Sequence, residues 1–343
     1  MTASDPTAAA DSGLAPGFRR RSPEPLLGLS AVPWCAADRR PRPSIMFPTV
    51  VDMGAASGLL GGAPAALDRY QMYFAPHSSS GIGLASAPRP EGPWTPYPHN
   101  PILRLQQFPG LNDHLSSPEL VLRPDHPNAP FWLYVHGRTG PRAEGFGQHT
   151  CVATSRDAVA WEPLGPDPVL TATAGQSGHK NSAAYARLFQ RHGWQYALYK
   201  AETVHSLARS RDGLAWEHWP HNPLLVPDPG AGDRNMIRHT GLLPLGDSLL
   251  IFYSSVPDRD DPHGREEIKL ATLDVSRADW LGWGGLRRRG PVLTPEQEWE
   301  AGDVRDPFPL VQGDTLYLYY VGGHERGIGL AWAPLDALRG IAT

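Results

Sequence analysis

The side chains able to do chemistry in this 343-residue chain are carboxylates, arginines and histidines set in short polar clusters along its whole length. Arg305-Asp306-Pro307 puts an acid beside a guanidinium, Arg238-His239 joins a guanidinium to an imidazole, His136 stands two residues before Arg138, and His324 precedes Glu325. Glu119, Glu202, Asp113 and His77 complete the set. Arginine presents a planar fork of donors and a histidine nitrogen donates or accepts, so these groups suit hydroxyls and carboxylates. A carboxylic acid that burial keeps protonated can serve as a proton donor. Such a set fits a saccharide or another polyhydroxylated ligand, provided that the fold gathers residues 77 to 324 in one place.

An internal repeat provides for this. Five times an aromatic-rich strand, a polar gap and a second strand with a central alanine recur: Ile82-Gly83-Leu84-Ala85-Ser86, Cys151-Val152-Ala153-Thr154-Ser155, Ser206-Leu207-Ala208-Arg209-Ser210, Lys269-Leu270-Ala271-Thr272 and Ile328-Gly329-Leu330-Ala331-Trp332. The alanines lie 68, 55, 63 and 60 residues apart. In three copies a Trp follows with a Pro seven residues beyond it (Trp94 to Pro101, Trp161 to Pro168, Trp216 to Pro223), and in the fourth the step from Trp283 to Pro291 is eight. A small twisted sheet cannot bury both faces alone, so a strand repeat of this period predicts radial repetition. The expected fold is all-β, a five-bladed β-propeller in a single domain, with about four strands per blade. The fifth copy stops after Ala333-Pro334-Leu335, short of its Trp-to-Pro turn. A segment within residues 24–37 is expected to complete that blade and close the ring, leaving 1–22 as a disordered tail and 23–343 as the propeller.

Composition narrows the partners. A formal net charge of −4 gives no basic field for nucleic acid, and no run of like charge exceeds the three residues of Arg19-Arg20-Arg21. No apolar stretch is long enough to span a bilayer, and Glu24 with prolines 23, 25 and 33 interrupts the apolar region that an export signal would need after the arginine run. Cys35 and Cys151 make no disulfide framework, and no spacing matches a zinc motif. A cytoplasmic protein without metal or organic cofactor, acting on a small saccharide or glycoside, is the expectation.

In a propeller the starts of the innermost strands and the loops leaving the second strands meet at one mouth of the channel. Aligned backwards from the aromatic strands, the inner strands begin at residues 46–49, 116–119, 181–184, 238–241 and 305–308. The loops after the second strands contribute His77, His136 with Arg138, Lys200 with Glu202, Ser254 with Ser255, and His324 with Glu325. His77, His136, His239 and His324 thus hold corresponding mouth positions in four blades and are expected to bind substrate, with Arg238, Arg305 and Asp113. Asp52 lies five residues past Phe47, about 16 Å along a strand, toward the opposite end. The acidic run 258–261 reads as a solvated loop.

Arg305-Asp306-Pro307-Phe308 followed by Gly313-Asp314-Thr315-Leu316-Tyr317-Leu318-Tyr319-Tyr320, the Ser-Arg-Asp-x-x-x-Trp motif at 155–161 and 210–216, and His221-Asn222-Pro223-Leu224-Leu225 resemble the five-bladed propeller glycosidases. These are glycoside hydrolase family 43 and its relatives, which act on arabinosides, xylosides and fructosides. The resemblance runs from about residue 44 to 335. It implies hydrolysis of a terminal glycosidic bond through an oxocarbenium-like transition state, one carboxylate protonating the leaving oxygen and another activating water or attacking the sugar carbon. Asp306, Glu119 and Glu202 are the candidates for those catalytic roles, with Arg305 expected to hold Asp306 ionised or bind substrate. Family 43 has an acid at or near the position before proline in three inner strands. Here that position holds Phe47, Ser117 and Asp306, with Ser182 and His239 in the third and fourth blades. The alternatives are a saccharide-binding propeller without catalysis, and phosphorolysis or lyase chemistry on the same scaffold; a phosphate flanked by Arg238 and Arg305 would favour phosphorolysis.

Overall fold

The computed structural model describes residues 17–37, 42–61, 67–77, 80–139, 147–172, 182–233, 236–256, 265–282 and 285–342. Asn181, Trp283 and the acidic run 258–261 lie outside them. Two short strands, β1 (Arg19–Arg20) and β2 (Leu27–Gly28), and helix α1 (Pro33–Ala37) lead into five antiparallel sheets in chain order. Blade 1 holds β3 (Met46–Asp52), β4 (Tyr70–Ala75), β5 (Gly81–Ala87) and β6 (Thr95–Pro96), with helix α2 (Met53–Leu60) after β3 and β7 (Leu103–Arg104) also on β5. Blade 2 holds β8 (Ser116–Leu122), β9 (Phe131–Thr139), β10 (Gly147–Ser155) and β11 (Glu162–Pro163). Blade 3 is β12 (Ala184–Arg191), β13 (Trp194–Ala201), β14 (Val204–Ser210) and β15 (Glu217–His218). Blade 4 is β16 (Ile237–Leu245), β17 (Ser248–Ser255), β18 (Glu267–Asp274) and β19 (Arg287–Leu293). Blade 5 has three strands of its own, β20 (Val304–Gln312), β21 (Thr315–Gly322) and β22 (Gly327–Pro334), before helix α3 (Asp336–Ala342).

The five-bladed propeller expected from the repeat is the fold. Blade 5 is completed from the N-terminus: Leu27 pairs with Ile328, and Arg19 and Arg20 pair with Trp332 and Ala331. The closing segment therefore begins before residue 22, which corrects the boundary expected for the tail. Arg20 is bound into this closure by Glu300, at 3.1 Å, and Glu296, at 2.9 Å.

The repeated motif staples blade to blade. In Ser155-Arg156-Asp157 the serine hydroxyl accepts from the Asp157 and Ala158 amides and the aspartate accepts from Val159 and Ala160, folding a tight turn. That turn presents the Ala158 carbonyl to the Tyr73 hydroxyl of blade 1 at 2.6 Å, while Trp161 packs edge-on against the same ring. The copy at Ser210-Arg211-Asp212 offers the Gly213 carbonyl to Tyr134 of blade 2 with Trp216 against that ring, and Tyr319 of blade 5 reaches the Pro90 carbonyl beside Trp94. A buried tyrosine needs a partner for its hydroxyl, and each edge-to-face pair adds about 0.5–1.5 kcal/mol beyond its buried area. Asn100 and Asn222, each before the proline of its motif, pair by their amides with both the N–H and the C=O of Leu84 and of Leu207.

In the channel Arg187, on β12, ties all five blades. Its guanidinium donates to Thr49 Oγ1 of blade 1, to the Pro118 carbonyl and Glu119 of blade 2 and to the Thr240 carbonyl of blade 4, and it lies over the Phe308 ring of blade 5. Every inner strand carries a register shift near its start, between Met46 and Thr49, Ser116 and Glu119, Ala184 and Arg187, Ile237 and Thr240, and Arg305 and Phe308. Such bulges turn a side chain off the regular pleat, and here they shape the mouth.

Candidate functional site

The bulges bring a compact aromatic group to the mouth. Tyr185 lies with its ring 4.1 Å from that of His136, 4.9 Å from His239 and 5.6 Å from Phe47, and Phe47 meets His239 edge-on at 5.2 Å. Blades 1 to 4 therefore converge on one tyrosine. The sequence alignment puts Ser182 at this position of the third inner strand; the structure puts Tyr185 there instead, three residues on, because β12 begins at Ala184 and its bulge falls between Ala184 and Arg187. The signal was present: Tyr185, His239 and Asp306 each stand seven residues before the first turn residue of their hairpin, at His192, Gly246 and Gly313.

Asp306 joins this group from blade 5. Its carboxylate meets the Nδ1 of His239 directly and accepts from the Phe47 amide at 3.3 Å. Burial pushes its pKa up to about 6, against the pull of Arg305, while burial and neighbouring cations hold His239 well below the ordinary histidine range. Burial thus works against charge on both members of this contact.

A network of charges flanks the pair. Arg305 meets Asp303, reaches Glu325 at 3.0 Å and Glu266 at 3.4 Å, while Arg238 meets Glu266 from the other side. Arg305 was expected to serve Asp306; its guanidinium instead engages three other acids, and it acts on Asp306 only through its field. Glu325 also bonds His77 at 3.2 Å and Arg42 at 3.4 Å. Despite burial, these partners hold Glu325 down at about 2, whereas burial lifts Glu266 to about 6. His324 is half-exposed above Asp303, whose carboxylate accepts from its amide at 2.9 Å.

The other expected residues fall into two further groups. On blade 2, Asp113 pairs with Arg138 at 2.5 Å and His114 at 3.6 Å; burial holds His114 down at about 4 and His136 well below its usual range. On blade 3, Glu202 lines a cavity of about 460 Å³ with Gln148, Ser182, Ala184, Tyr185, Lys200, Thr203 and Met236. Glu119 stands apart from all of these, deep in the channel, with Arg187 at 2.7 Å and the Leu188 amide at 3.2 Å; burial raises its pKa and Arg187 opposes. Asp52, expected at the far end, caps helix α2 there by accepting from Gly54 and Ala55. Asp303, Glu266 and Tyr185 were not singled out from the sequence: the acids precede their strands at positions with no counterpart in the repeat. Among the described residues, no group of three or more His, Cys, Asp or Glu side chains is placed to hold a metal, and no helix is long and apolar enough to cross a membrane.

No family model matches the chain. An uncharacterised protein of Acanthamoeba polyphaga mimivirus is 25% identical over 332 residues, covering 85% of this chain and 84% of its own. Among solved structures, a protein proposed to be a glycoside hydrolase from Parabacteroides distasonis superposes with a TM-score of 0.66 at 16% identity, over 94% of this chain and 97% of its own. A structure from the GH130 family of mannoside phosphorylases, described as containing glycoside hydrolases that target β-1,2-mannosidic linkages in Candida mannan, gives 0.64 at 14% identity over 94% and 95%. A thermostable family-43 glycoside hydrolase gives 0.58 at 13% identity over 84% and 88%. At these identities the likeness is one of fold, and it agrees with the resemblance carried by the repeat motifs.

Proposed function

We propose that the protein is a glycoside hydrolase that binds the terminal unit of a short saccharide at the Tyr185 mouth. One observation carries this reading: in a single cluster the environment drives carboxyl pKa values apart, Asp306 and Glu266 up to about 6 and Glu325 down to about 2. Groups separated in this way are suited to opposite roles, an acid that keeps its proton up to about pH 6 and a base that has lost it. Asp306, coupled to His239, is the proton donor to the leaving oxygen, and Glu325, held by Arg305, His77 and Arg42, is the ionised partner. Tyr185 offers a ring face to the sugar, and Arg238, His77 and His324 surround it with donors. Glu119 fixes Arg187 and has no part in proton transfer.

Charge balance favours water over phosphate as the acceptor. Arg42, Arg238 and Arg305 face Asp303, Glu266 and Glu325, so the arginines that would hold a phosphate already face carboxylates. A saccharide-binding propeller without turnover is the second reading, favoured by the full burial of Asp306 and Glu266. The test is a screen of nitrophenyl arabinofuranosides, xylosides, mannosides, galactosides and glucosides, with and without phosphate, beside Asp306→Asn and Glu325→Gln. Loss of about 10²-fold or more in kcat for both folded variants is expected. Turnover that needs phosphate would replace hydrolysis with phosphorolysis, and saccharide binding without turnover would leave the binding propeller.

A further inference from the structure

We infer that the blade-3 cavity is the subsite for the leaving side of the substrate, and that Glu202 acts there as a specificity residue. This rests on the hydrolase reading for its chemistry, since a leaving group exists only where a bond is cut.

The cavity, about 460 Å³, lies within the size range of ligand sites. It shares one wall with the acid cluster: the Tyr185 ring that contacts His136 and His239 also lines the cavity, with Lys200 Nζ 5.3 Å from its centre. Tyr185 thus borders both the mouth cluster and the cavity, which places the two next to each other along one ring. The lining is polar and mixed in sign, with Lys200 as donor, Glu202 as acceptor, and Gln148, Ser182 and Thr203 able to do both. Opposite charges on one lining match the hydroxyls of an uncharged sugar unit, not a phosphate or a uronate.

The backbone around Glu202 supports the assignment. Glu202 and Thr203 form the two-residue turn between Ala201 and Val204, and Glu202 has φ 61°. A turn of this kind usually takes Gly or Asn there, and a non-glycine residue in the left-handed region costs about 1–2 kcal/mol. Strain of this kind persists where the side chain is needed in place. Glu202 lines the cavity on the Lys200 and Thr203 side of Tyr185, whereas Asp306 lies against His239 and Glu325 against Arg305, so its carboxylate is assigned to the neighbouring unit and not to the bond being cut.

The test compares Glu202→Gln and Glu202→Gly on two substrate types. Glycine adopts the left-handed turn freely, so Glu202→Gly removes the side chain without a folding penalty. On manno-, xylo-, arabino- and fructo-oligosaccharides of two to five units, KM should rise about tenfold or more, the loss expected for a charge-assisted hydrogen bond. On the nitrophenyl glycoside of the same terminal sugar, kcat should stay within twofold. Equal loss of kcat on both would make Glu202 a catalytic residue and overturn the inference, as would no effect on either. If the wild type hydrolyses none of these, calorimetry with the same oligosaccharides decides. Binding weakened by both variants keeps the subsite while the hydrolase reading falls, and binding unchanged by them, or absent from the wild type, overturns the subsite.

Discussion

Replacing Arg187 by methionine removes a side chain that touches all four other blades and leaves Glu119 buried without its cation. Glu119 keeps the Leu188 amide at 3.2 Å and the Thr49 hydroxyl, while Thr49 Oγ1 and the Pro118 and Thr240 carbonyls each lose a donor. Breaking one half of a buried ion pair costs about 3–5 kcal/mol, more than the intact pair contributes, because the stranded charge has lost its water as well as its partner. An unfolding entropy of about 2.1 cal/mol/K per residue over 343 residues comes to about 0.7 kcal/mol/K, so Tm should fall by about 4–7 °C.

The charge, not the lost packing, is the part that can be isolated. Glu119 already stands above its ordinary value through burial, and without Arg187 it rises further. A carboxyl whose folded pKa exceeds its unfolded one costs no stability below the unfolded value, about 4.3, and costs more as pH rises from there to the folded value. The deficit of Arg187→Met should therefore be small at pH 4.5 and full at pH 8. The double variant Arg187→Met/Glu119→Gln should recover much of the loss at pH 8 and show no such pH dependence. Scanning calorimetry at the two pH values reads all three proteins. A double variant as unstable as the single one, with a deficit equal at both pH values, would refute the buried-charge argument and leave Arg187 as packing alone.

Two further outcomes follow from the same physics. If Asp306 donates the proton, kcat/KM falls about tenfold per pH unit above about 6, where its carboxyl titrates; a pH–rate profile still rising between pH 6 and 8 would remove Asp306 from that role. Arg20→Ala should lower stability by about 1–3 kcal/mol, since Glu300, without exposure, then keeps only Tyr320 and the amides of Glu296 and Gln297. Burial works against Glu300, but Arg20 leads the contacts that hold its pKa below the ordinary value. That stabilisation is present above the unfolded pKa and lost as pH falls through the folded one, so wild type and variant should converge in acid, by urea denaturation.

Much of the ring was legible because its motifs do mechanical work that leaves a mark on the sequence. Ser-Arg-Asp-x-x-x-Trp encodes a turn and the ring beneath it, and both meet the tyrosine of the preceding blade. Closure from the N-terminus was legible as a missing strand, though its reach to Arg19 was not, because two residues of strand carry no periodicity. The mouth was harder. Proline follows the bulge residue in Phe47-Pro48, Ser117-Pro118 and Asp306-Pro307, but Ala186 follows Tyr185, so an alignment anchored on proline slips in blade 3. Glu266 and Asp303 were hidden for another reason: each lies one residue before a strand begins, and what makes them notable is burial beside arginines, which no spacing reports.

The strain in this ring is not spread evenly, and its location argues for where function lies. Four inner strands hold a non-glycine residue in the left-handed region at the bulge: Phe47 at φ 59°, Ser117 at 52°, Tyr185 at 54° and Asp306 at 51°. At about 1–2 kcal/mol each, this is a large fraction of the net stability of a typical domain. A propeller does not need it for closure, because the blade staples lie along the second strands and outer turns. What the bulges achieve is to set Phe47, Tyr185 and Asp306 against His239 at one end of the channel. Blade 4 is the instructive exception: its bulge lies between Ile237 and Thr240, and neither Arg238 nor His239 has positive φ. His239 reaches Asp306 from relaxed backbone, so the strain attaches to the residues whose side chains must be re-aimed and not to the bulge as such. Glu202, Glu325 and His324 carry the same left-handed conformation in the loops of that mouth. Backbone that holds acids, an imidazole and two aromatic rings in place at that cost is what a preorganised binding site requires.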